Sequence, residues 1–91
     1  MLNYAKLEAT LEKLVKIVPD SPEAWYDYAS LKATLGKPPE ALDGLRRALD
    51  LSAERRKQDP KGRDLAAEAQ KDQRFATLYN DPAFKKLVGG K

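Results

Sequence analysis

The chain has 91 residues, of which 42% are hydrophobic, and this length and composition suit one folded domain with a modest core. Cysteine is absent, which excludes disulfides and thiol chemistry. Histidine is also absent, and it is the side chain that most often serves as a general base or as a transition-metal ligand. The net charge of +3 divides into −2 over residues 1–45 (five Lys against seven Asp or Glu) and +5 over residues 46–91 (twelve Lys or Arg against seven), a bias too mild to be a nucleic-acid footprint.

The first predicted element is an amphipathic helix over residues 2–18. Its apolar residues recur at spacings of three and four, namely Leu7, Leu11, Leu14, Val15 and Val18. The polar residues between them, including Glu8 and Glu12, are expected to face water, and Glu12 is expected to pair with Lys16 four residues on. Pro19 ends the helix because a proline disfavours α geometry at the residue before it.

A second helix is predicted to begin after Ser21 and to run to about Leu35. Ser21 can accept a hydrogen bond from a free N–H group of the first turn, and Pro22 suits the first helical position. Glu23 is favourable near the positive end of the helix dipole. Gly36 then fits the left-handed backbone position that commonly follows a helix end.

A third helix is predicted from Pro38 to about residue 57, because nothing interrupts the helical period of apolar residues before Asp59 and Pro60. Gly44 lies inside this helix at a cost of roughly 1 kcal/mol relative to alanine. A glycine in such a position indicates that a neighbouring helix approaches closely.

Residues 60–88 predict a cap of short helices. The pattern D-x-x-F-x-x-L occurs twice there, at residues 72–78 and 81–87. In each unit the aspartate can cap a short helix, and the phenylalanine and leucine fall on one side of it. The residues expected to fold back over the long third helix are Phe75, Leu78, Phe84 and Leu87.

An offset of 34 residues relates the first and third predicted helices. The apolar positions that coincide are Leu7 with Ala41, Leu11 with Leu45, Leu14 with Ala48, Val15 with Leu49, and Ile17 with Leu51. The helix between them carries Trp25, Tyr28 and Ala29, and Gly36 follows at the turn. With these residues, the region of residues 7–53 resembles the tetratricopeptide repeat (TPR) family.

Two positions depart from the family pattern. Lys32 stands where the family has a tyrosine, and Ala53 stands where a proline would close the repeat. Residues 2–18 look like the second helix of a preceding repeat whose first helix is absent. The tail also resembles the segment that closes many bacterial TPR proteins. The chain is therefore expected to be the C-terminal end of a larger TPR protein or a free-standing adaptor.

The resemblance implies an all-α fold, a TPR-like antiparallel helical hairpin with a flanking N-terminal helix and short C-terminal capping helices. We expect one domain over residues 1–91. It divides into a partial repeat at residues 2–18, a complete repeat with an extended second helix at residues 21–57, and a cap at residues 60–88.

The resemblance also implies a non-catalytic protein–protein interaction module or scaffold segment that needs no cofactor and no metal. In the family, the first helix of a repeat lines a concave surface that holds peptides, and here that surface would present Glu23, Tyr26, Asp27 and Ser30. Tyr26 is the best single candidate, because an exposed tyrosine is a common interface anchor. The alternative is that Tyr26 packs on the preceding helix. No enzymatic role is expected, because no acid–base groups converge.

Two further functions stay open. The apolar face of residues 2–18 could pair with its copy, which would make the chain a homodimeric self-association element. A weaker indication of nucleic-acid binding comes from a basic run, formed by Arg46, Arg47, Arg55, Arg56, Lys57, Lys61 and Arg63. Acidic residues interrupt this run, and a solvated helix face is the preferred explanation of it.

The sequence gives little information on location. No apolar run approaches about 18 residues, so no membrane-spanning segment is expected. The N-terminal residues include acids and form no continuous apolar block, so no signal peptide is expected either. The compartment is therefore unknown, with the cytoplasm as the default expectation.

Overall fold

The computed structural model describes residues 3–89 and contains five α-helices and one 3-10 helix, with no strand in that range. The helices are α1 (Tyr4–Ile17), α2 (Pro22–Thr34), α3 (Pro38–Gln58), α4 (Leu65–Lys71) and α5 (Pro82–Gly89), and the 3-10 helix covers Gln73–Leu78. The all-α prediction is confirmed for these residues. Residues 1–2 and 90–91 of the predicted domain, including the first residue of the predicted helix over residues 2–18, lie outside the described residues.

Local capping explains where α2 begins and ends. The Ser21 hydroxyl accepts a hydrogen bond from the Ala24 N–H at 3.2 Å, and Pro22 occupies the first turn. At the other end Gly36 has a φ of +74°, a conformation that glycine adopts without steric penalty. The N–H groups of Gly36 and the residue after it return to carbonyls in the last turn of α2, as in a Schellman motif.

Helices α2 and α3 pack antiparallel to each other. An ion pair joins Glu23 at the start of α2 to Arg55 near the end of α3. A second ion pair joins Lys32 near the end of α2 to Glu40 at the start of α3. The two helices therefore run side by side in opposite directions, with one charged contact close to each end.

The two helices approach closely because small residues lie between them. A Cβ added to Gly44 would stand 2.6 Å from Cδ1 of Tyr28 and 3.3 Å from Cβ of Ala29, so the predicted close approach at Gly44 is confirmed. Ala29, Ala41 and Leu45 are all 0% exposed. The larger Leu45 side chain fills the space beside the two alanines.

The C-terminal segment completes the core that α2 and α3 begin. Phe75 of the 3-10 helix and Phe84 of α5 are 0% and 2% exposed, and their ring centroids lie 5.7 Å apart. Leu78 is also buried, and Leu87 is half-buried against the same cluster. Helix α4 adds the buried side chain of Leu65. The four residues predicted to fold back therefore all contact the core.

Helix α1 contributes little to this core, since Val15 alone among its 14 residues is buried. Glu8 and Glu12, which were expected to face water, instead pair with Lys32 of α2. The expected pair between Glu12 and Lys16 is not among the ion pairs of residues 3–89, because the Glu12 carboxylate lies 2.7 Å from the Lys32 ammonium. The prediction from helix spacing alone was wrong here, since a cation on a neighbouring helix binds the carboxylate instead.

Candidate binding groove between the first two helices

A groove of about 450 Å³ lies between α1 and α2. Its α1 wall is mainly apolar and includes Tyr4, Leu7 and Leu11, and its α2 wall includes Leu31. Polar groups from α2 and from the start of the 3-10 helix stand at its edge. An apolar surface bordered by a few polar groups is typical of binding sites.

The α1 wall is part of a longer apolar row, which we call the α1 stripe and which consists of Tyr4, Leu7, Leu11, Leu14 and Val18. Spacings of three and four residues place the row on one side of the helix. Tyr4 is 42% exposed, Leu7 39%, Leu14 36% and Val18 39%. The 14-residue helix is about 21 Å long, so large apolar side chains stay exposed along its whole length.

A buried lysine joins α1 to the other two long helices. The Lys32 side chain is 3% exposed, and its ammonium lies 2.7 Å from the carboxylates of Glu8 and Glu12 and 2.9 Å from that of Glu40. Burial lowers the pKa of Lys32, but the hydrogen bonds to the three glutamates outweigh burial, so the pKa is raised. Hydrogen bonds from Lys32 and Lys37 lower the pKa of Glu8.

Sequence reasoning missed this junction, although two signals for it exist. Lys32 occupies the position at which the resemblance to the TPR family calls for a tyrosine. Glu8 and Glu12 stand four residues apart, and side chains at that spacing share one side of a helix. A lysine at an otherwise apolar helix contact needs paired carboxylates opposite it, since an unpaired buried charge is strongly unfavourable. The junction therefore fixes α1 to the hairpin.

The remaining charges of α1 are all positive. Its two carboxylates, Glu8 and Glu12, are held by the lysine junction. Lys6, Lys13 and Lys16 make no ion pair with any residue between 3 and 89. At about 100° of rotation per residue, Lys6 and Lys13 lie almost one beyond the other along the helix, roughly 120–140° around it from the middle of the α1 stripe, so they do not border the groove.

Two of the four predicted contact residues are used inside the fold. Glu23 accepts two hydrogen bonds from the guanidinium of Arg55, which lower the pKa of Glu23. Tyr26 is 3% exposed. Its hydroxyl donates to Asp72 at 2.8 Å, and its ring packs edge-on against Phe75. Tyr26 is therefore a core residue and not the expected exposed contact, because the C-terminal segment, and not the preceding helix, covers it.

The other two predicted contact residues, Asp27 and Ser30, line the groove. Asp27 is exposed, yet partial burial of its carboxyl group raises its pKa. Ser30 is 1% exposed, and its hydroxyl donates to the Asp27 carbonyl at 2.9 Å. Ser30 therefore supplies wall surface, whereas the Asp27 carboxylate is the predicted contact group that a ligand in the groove could reach.

The basic run of α3 and the following loop is largely neutralised within the chain. Its ion pairs are Arg46–Asp43, Arg55–Glu23, Arg56–Asp64, Lys57–Glu54 and Arg63–Glu68. Arg47 instead stacks over the Trp25 ring, 5.4 Å from its centroid. Side chains committed to these partners are less available for phosphate groups, which weakens the indication of nucleic-acid binding.

Within residues 3–89, no group of acidic side chains is arranged to hold a metal ion. In the same range no helix has both the length and the apolar composition needed to cross a membrane. Comparison of the chain with protein-family models, with curated proteins and with solved structures gave no match.

Proposed function

We propose that this chain is a non-catalytic protein-binding module of the TPR type, and that the groove between α1 and α2 receives a helical segment of a partner protein. The observation that carries the proposal is the α1 stripe, in which Tyr4, Leu7, Leu14 and Val18 are 36% to 42% exposed. A contiguous exposed apolar row is typical of interaction sites. Anchors at spacings of three and four are those that a facing amphipathic helix can match.

The packing of α2 against α3 supports the TPR assignment. Tyr28 covers Gly44, and Ala29 is fully buried beside it, so large and small residues alternate where the family pattern has them. On this assignment α1 is the second helix of a partial repeat, α2 and α3 form the complete repeat, and residues 60–88 form the cap.

The same stripe supports a second candidate function, self-association. Its alternating spacing of three and four is that of a coiled-coil seam, so two copies could pair through α1. In that pairing the residues beside the seam would be Thr10 and Ile17, whereas Lys6 and Lys13 would point outward, so charge does not oppose it. We place protein binding first because of the resemblance to the TPR family, and the oligomeric state of the chain distinguishes the two candidates.

A peptide selection tests the proposed function. Helical peptides from a random displayed library are selected on the wild-type chain, and each binder is then titrated against the double variant Leu7→Gln/Leu14→Gln. We expect binding at least about tenfold weaker, because a buried leucine contributes about 1.5–3 kcal/mol and about 1.4 kcal/mol is already tenfold. Glutamine is a good helix former, so α1 should persist.

The matched control is Ala9→Gln, which places the same side chain at an exposed position of α1 outside the stripe. This variant should bind the selected peptides as the wild type does, and circular dichroism should show equal helix content in all three proteins. Binders whose affinity is the same for the double variant and the wild type would show that the α1 stripe is not the binding surface.

A further inference from the structure

The α2 wall of the groove carries a carboxylate that belongs to none of the ion pairs between residues 3 and 89. This residue is Asp27, which is exposed and lines the groove. Partial burial of the carboxyl group in the wall raises its pKa, because burial disfavours the charged form. The charged form therefore lacks the stabilisation that a directly paired cation would provide.

Three ion pairs lie near Asp27, and each is complete without it. The pairs are Arg74–Asp72, Arg63–Glu68 and Glu23–Arg55. The four charged side chains with the strongest effect on the pKa of Asp27 all belong to these pairs. The three cations and three anions cancel, so the Asp27 carboxylate leaves this region with one net negative charge.

We propose that the helix received by the groove carries a lysine or an arginine on the edge that faces α2, and that this cation pairs with Asp27. This inference rests on the proposed function, since it names the chemistry of the partner helix. The α1 stripe supplies apolar contact area, which is non-directional. The carboxylate on the α2 side fixes how the partner helix is rotated about its axis, because other rotations leave Asp27 without a cation.

Filling the groove makes the charge of Asp27 more important. A helix laid there removes water from the carboxylate, and an unpaired charge that loses its water is strongly unfavourable. Arg74 also lines the groove, but its guanidinium is already bound to Asp72 at 2.7 Å. A basic side chain on the partner therefore removes a penalty that an uncharged partner would incur.

Two other occupants supply no such cation. The residues beside the stripe of a second copy are Thr10 and Ile17 on one side and α2, with its own Asp27, on the other. An anionic lipid surface would bring further negative charge toward the carboxylate. A helix of a different protein with a basic edge is the occupant that complements the groove.

A biased peptide library tests the partner chemistry. Peptides of about 18 residues, long enough to cover the stripe, carry leucine at alternating spacings of three and four, and both edges are randomised among Lys, Gln and Glu. Binders are selected on the wild type and kept only when binding is lost in Leu7→Gln/Leu14→Gln. We expect lysine to be enriched on one edge, and lysine peptides to bind about 3- to 5-fold tighter than their glutamine counterparts.

Two aspartate variants identify the carboxylate responsible. Asp27→Asn keeps the size of the side chain and removes its charge, so lysine and glutamine peptides should bind this variant equally. Asp20→Asn removes the same charge from an exposed aspartate outside the groove, and the preference for lysine should persist. A preference that Asp27→Asn retains, or that Asp20→Asn also loses, overturns the inference.

The pH dependence of binding gives a second readout. Pairing with a cation lowers the pKa of Asp27 in the complex. The preference for lysine should therefore be full at about pH 7 and should shrink as pH falls through the pKa of the free chain, which is raised above 3.8. Lysine peptides that bind more tightly as pH falls would show that the groove covers a protonated Asp27, and this result overturns the inference.

The outcomes separate this inference from the proposed function. Stripe-dependent binders without enrichment of lysine overturn the basic partner and leave protein binding intact. An absence of stripe-dependent binders overturns both. A stripe-dependent dimer that excludes every peptide, or stripe-dependent sedimentation with phosphatidylserine vesicles, assigns the surface to a second copy or to lipid and overturns the inference.

Discussion

At the scale of single residues, Lys32 of α2 joins three helices, because its ammonium contacts carboxylates of α1 and of α3. The residue is 2% exposed. The lysine also lies 5.3 Å from the centroid of the Tyr28 ring, a favourable cation–π distance. Since Val15 is the one buried residue of α1, this junction carries much of the attachment of α1.

Replacing this lysine should therefore be costly. Lys32→Met keeps the volume but leaves three carboxylates together without a cation. Breaking a fully buried pair costs about 3–5 kcal/mol, and the partial exposure of the glutamates reduces the expected loss to about 1–3 kcal/mol. Urea unfolding monitored by circular dichroism measures it, with the exposed Lys16→Met as the control. A Lys32→Met protein as stable as the control would mean that the junction contributes nothing net.

Asp72 makes the stability of the fold depend on pH in the acidic range. Hydrogen bonds from Arg74, and one from Tyr26, outweigh the effect of burial and lower the pKa of Asp72 from 3.8 to about 2. A carboxylate with a lowered pKa stabilises the folded state above its ordinary pKa, and this contribution is lost as pH falls through the lowered value. The stabilisation should be complete above about pH 4 and should disappear as pH approaches about 2.

The melting temperature measured from pH 5 to pH 2 tests this, because that range contains both the ordinary and the lowered pKa of Asp72. Asp72→Asn keeps the shape and an acceptor for Tyr26, so its melting temperature should fall less steeply in that window than that of the wild type. Asp20→Asn, at an exposed aspartate with no ion pair among residues 3–89, should leave the slope unchanged. Equal slopes for the wild type and Asp72→Asn would contradict the assignment.

At the scale of elements, one sequence pattern forms two different helices. Both D-x-x-F-x-x-L units begin with an aspartate that accepts a backbone N–H two residues on, from Arg74 and from Ala83. The first unit forms a 3-10 helix and the second forms α5. Phe75 and Phe84 nevertheless meet in the core. The pattern therefore specifies the spacing of the two phenylalanines but not the type of helix that carries them.

The cap should accordingly contribute to global stability. Phe84 is 2% exposed and packs against Phe75 and Tyr79, so Phe84→Ala should reduce the free energy of unfolding by about 3–5 kcal/mol. Chemical denaturation measures the loss, and Lys85→Ala, its exposed neighbour in α5, serves as the control. A loss below about 0.5 kcal/mol would mean that α5 is not part of the folding unit.

At the scale of the whole molecule, the hairpin and its cap form one apolar cluster, whereas α1 adds no residue to that cluster, is joined to the hairpin through Lys32, and leaves its stripe open. This arrangement gives opposite expectations for the two candidate functions. If a different protein is the partner, sedimentation velocity should give a monomer over a wide range of concentration, because the α1 stripe would then not bind its own copy. A concentration-dependent dimer that Leu7→Gln/Leu14→Gln abolishes would instead favour self-association.

The boundaries of the helices are predictable from local sequence. Ser21 and Pro22 begin α2, Gly36 ends it, and α3 continues to Gln58 because no proline occurs before Pro60. Caps, prolines and glycines act on their own backbone and its nearest neighbours. The apolar periods likewise identify buried residues of α3 and the cap, since each of those helices has one face toward the core. They do not do so for α2, which is covered on several sides.

The candidate site is only partly predictable. The sequence indicates an open apolar face on α1. It also places Asp27 and Ser30 on one side of α2, the side that lines the groove, because residues three apart share a side of a helix. It does not indicate that Tyr26 is covered by the 3-10 helix, or that Glu8 and Glu12 turn toward Lys32. Both outcomes depend on partners 20 or more residues away along the chain.

The sequence by itself therefore determined the helices, their ends and the apolar face of each, because these follow from backbone chemistry and from periodicity over a few residues. The tertiary structure alone decided which charged and aromatic side chains are buried and which surface stays open. Burial and ion pairing depend on which element lies over a given face, and that is set by packing between residues distant in sequence.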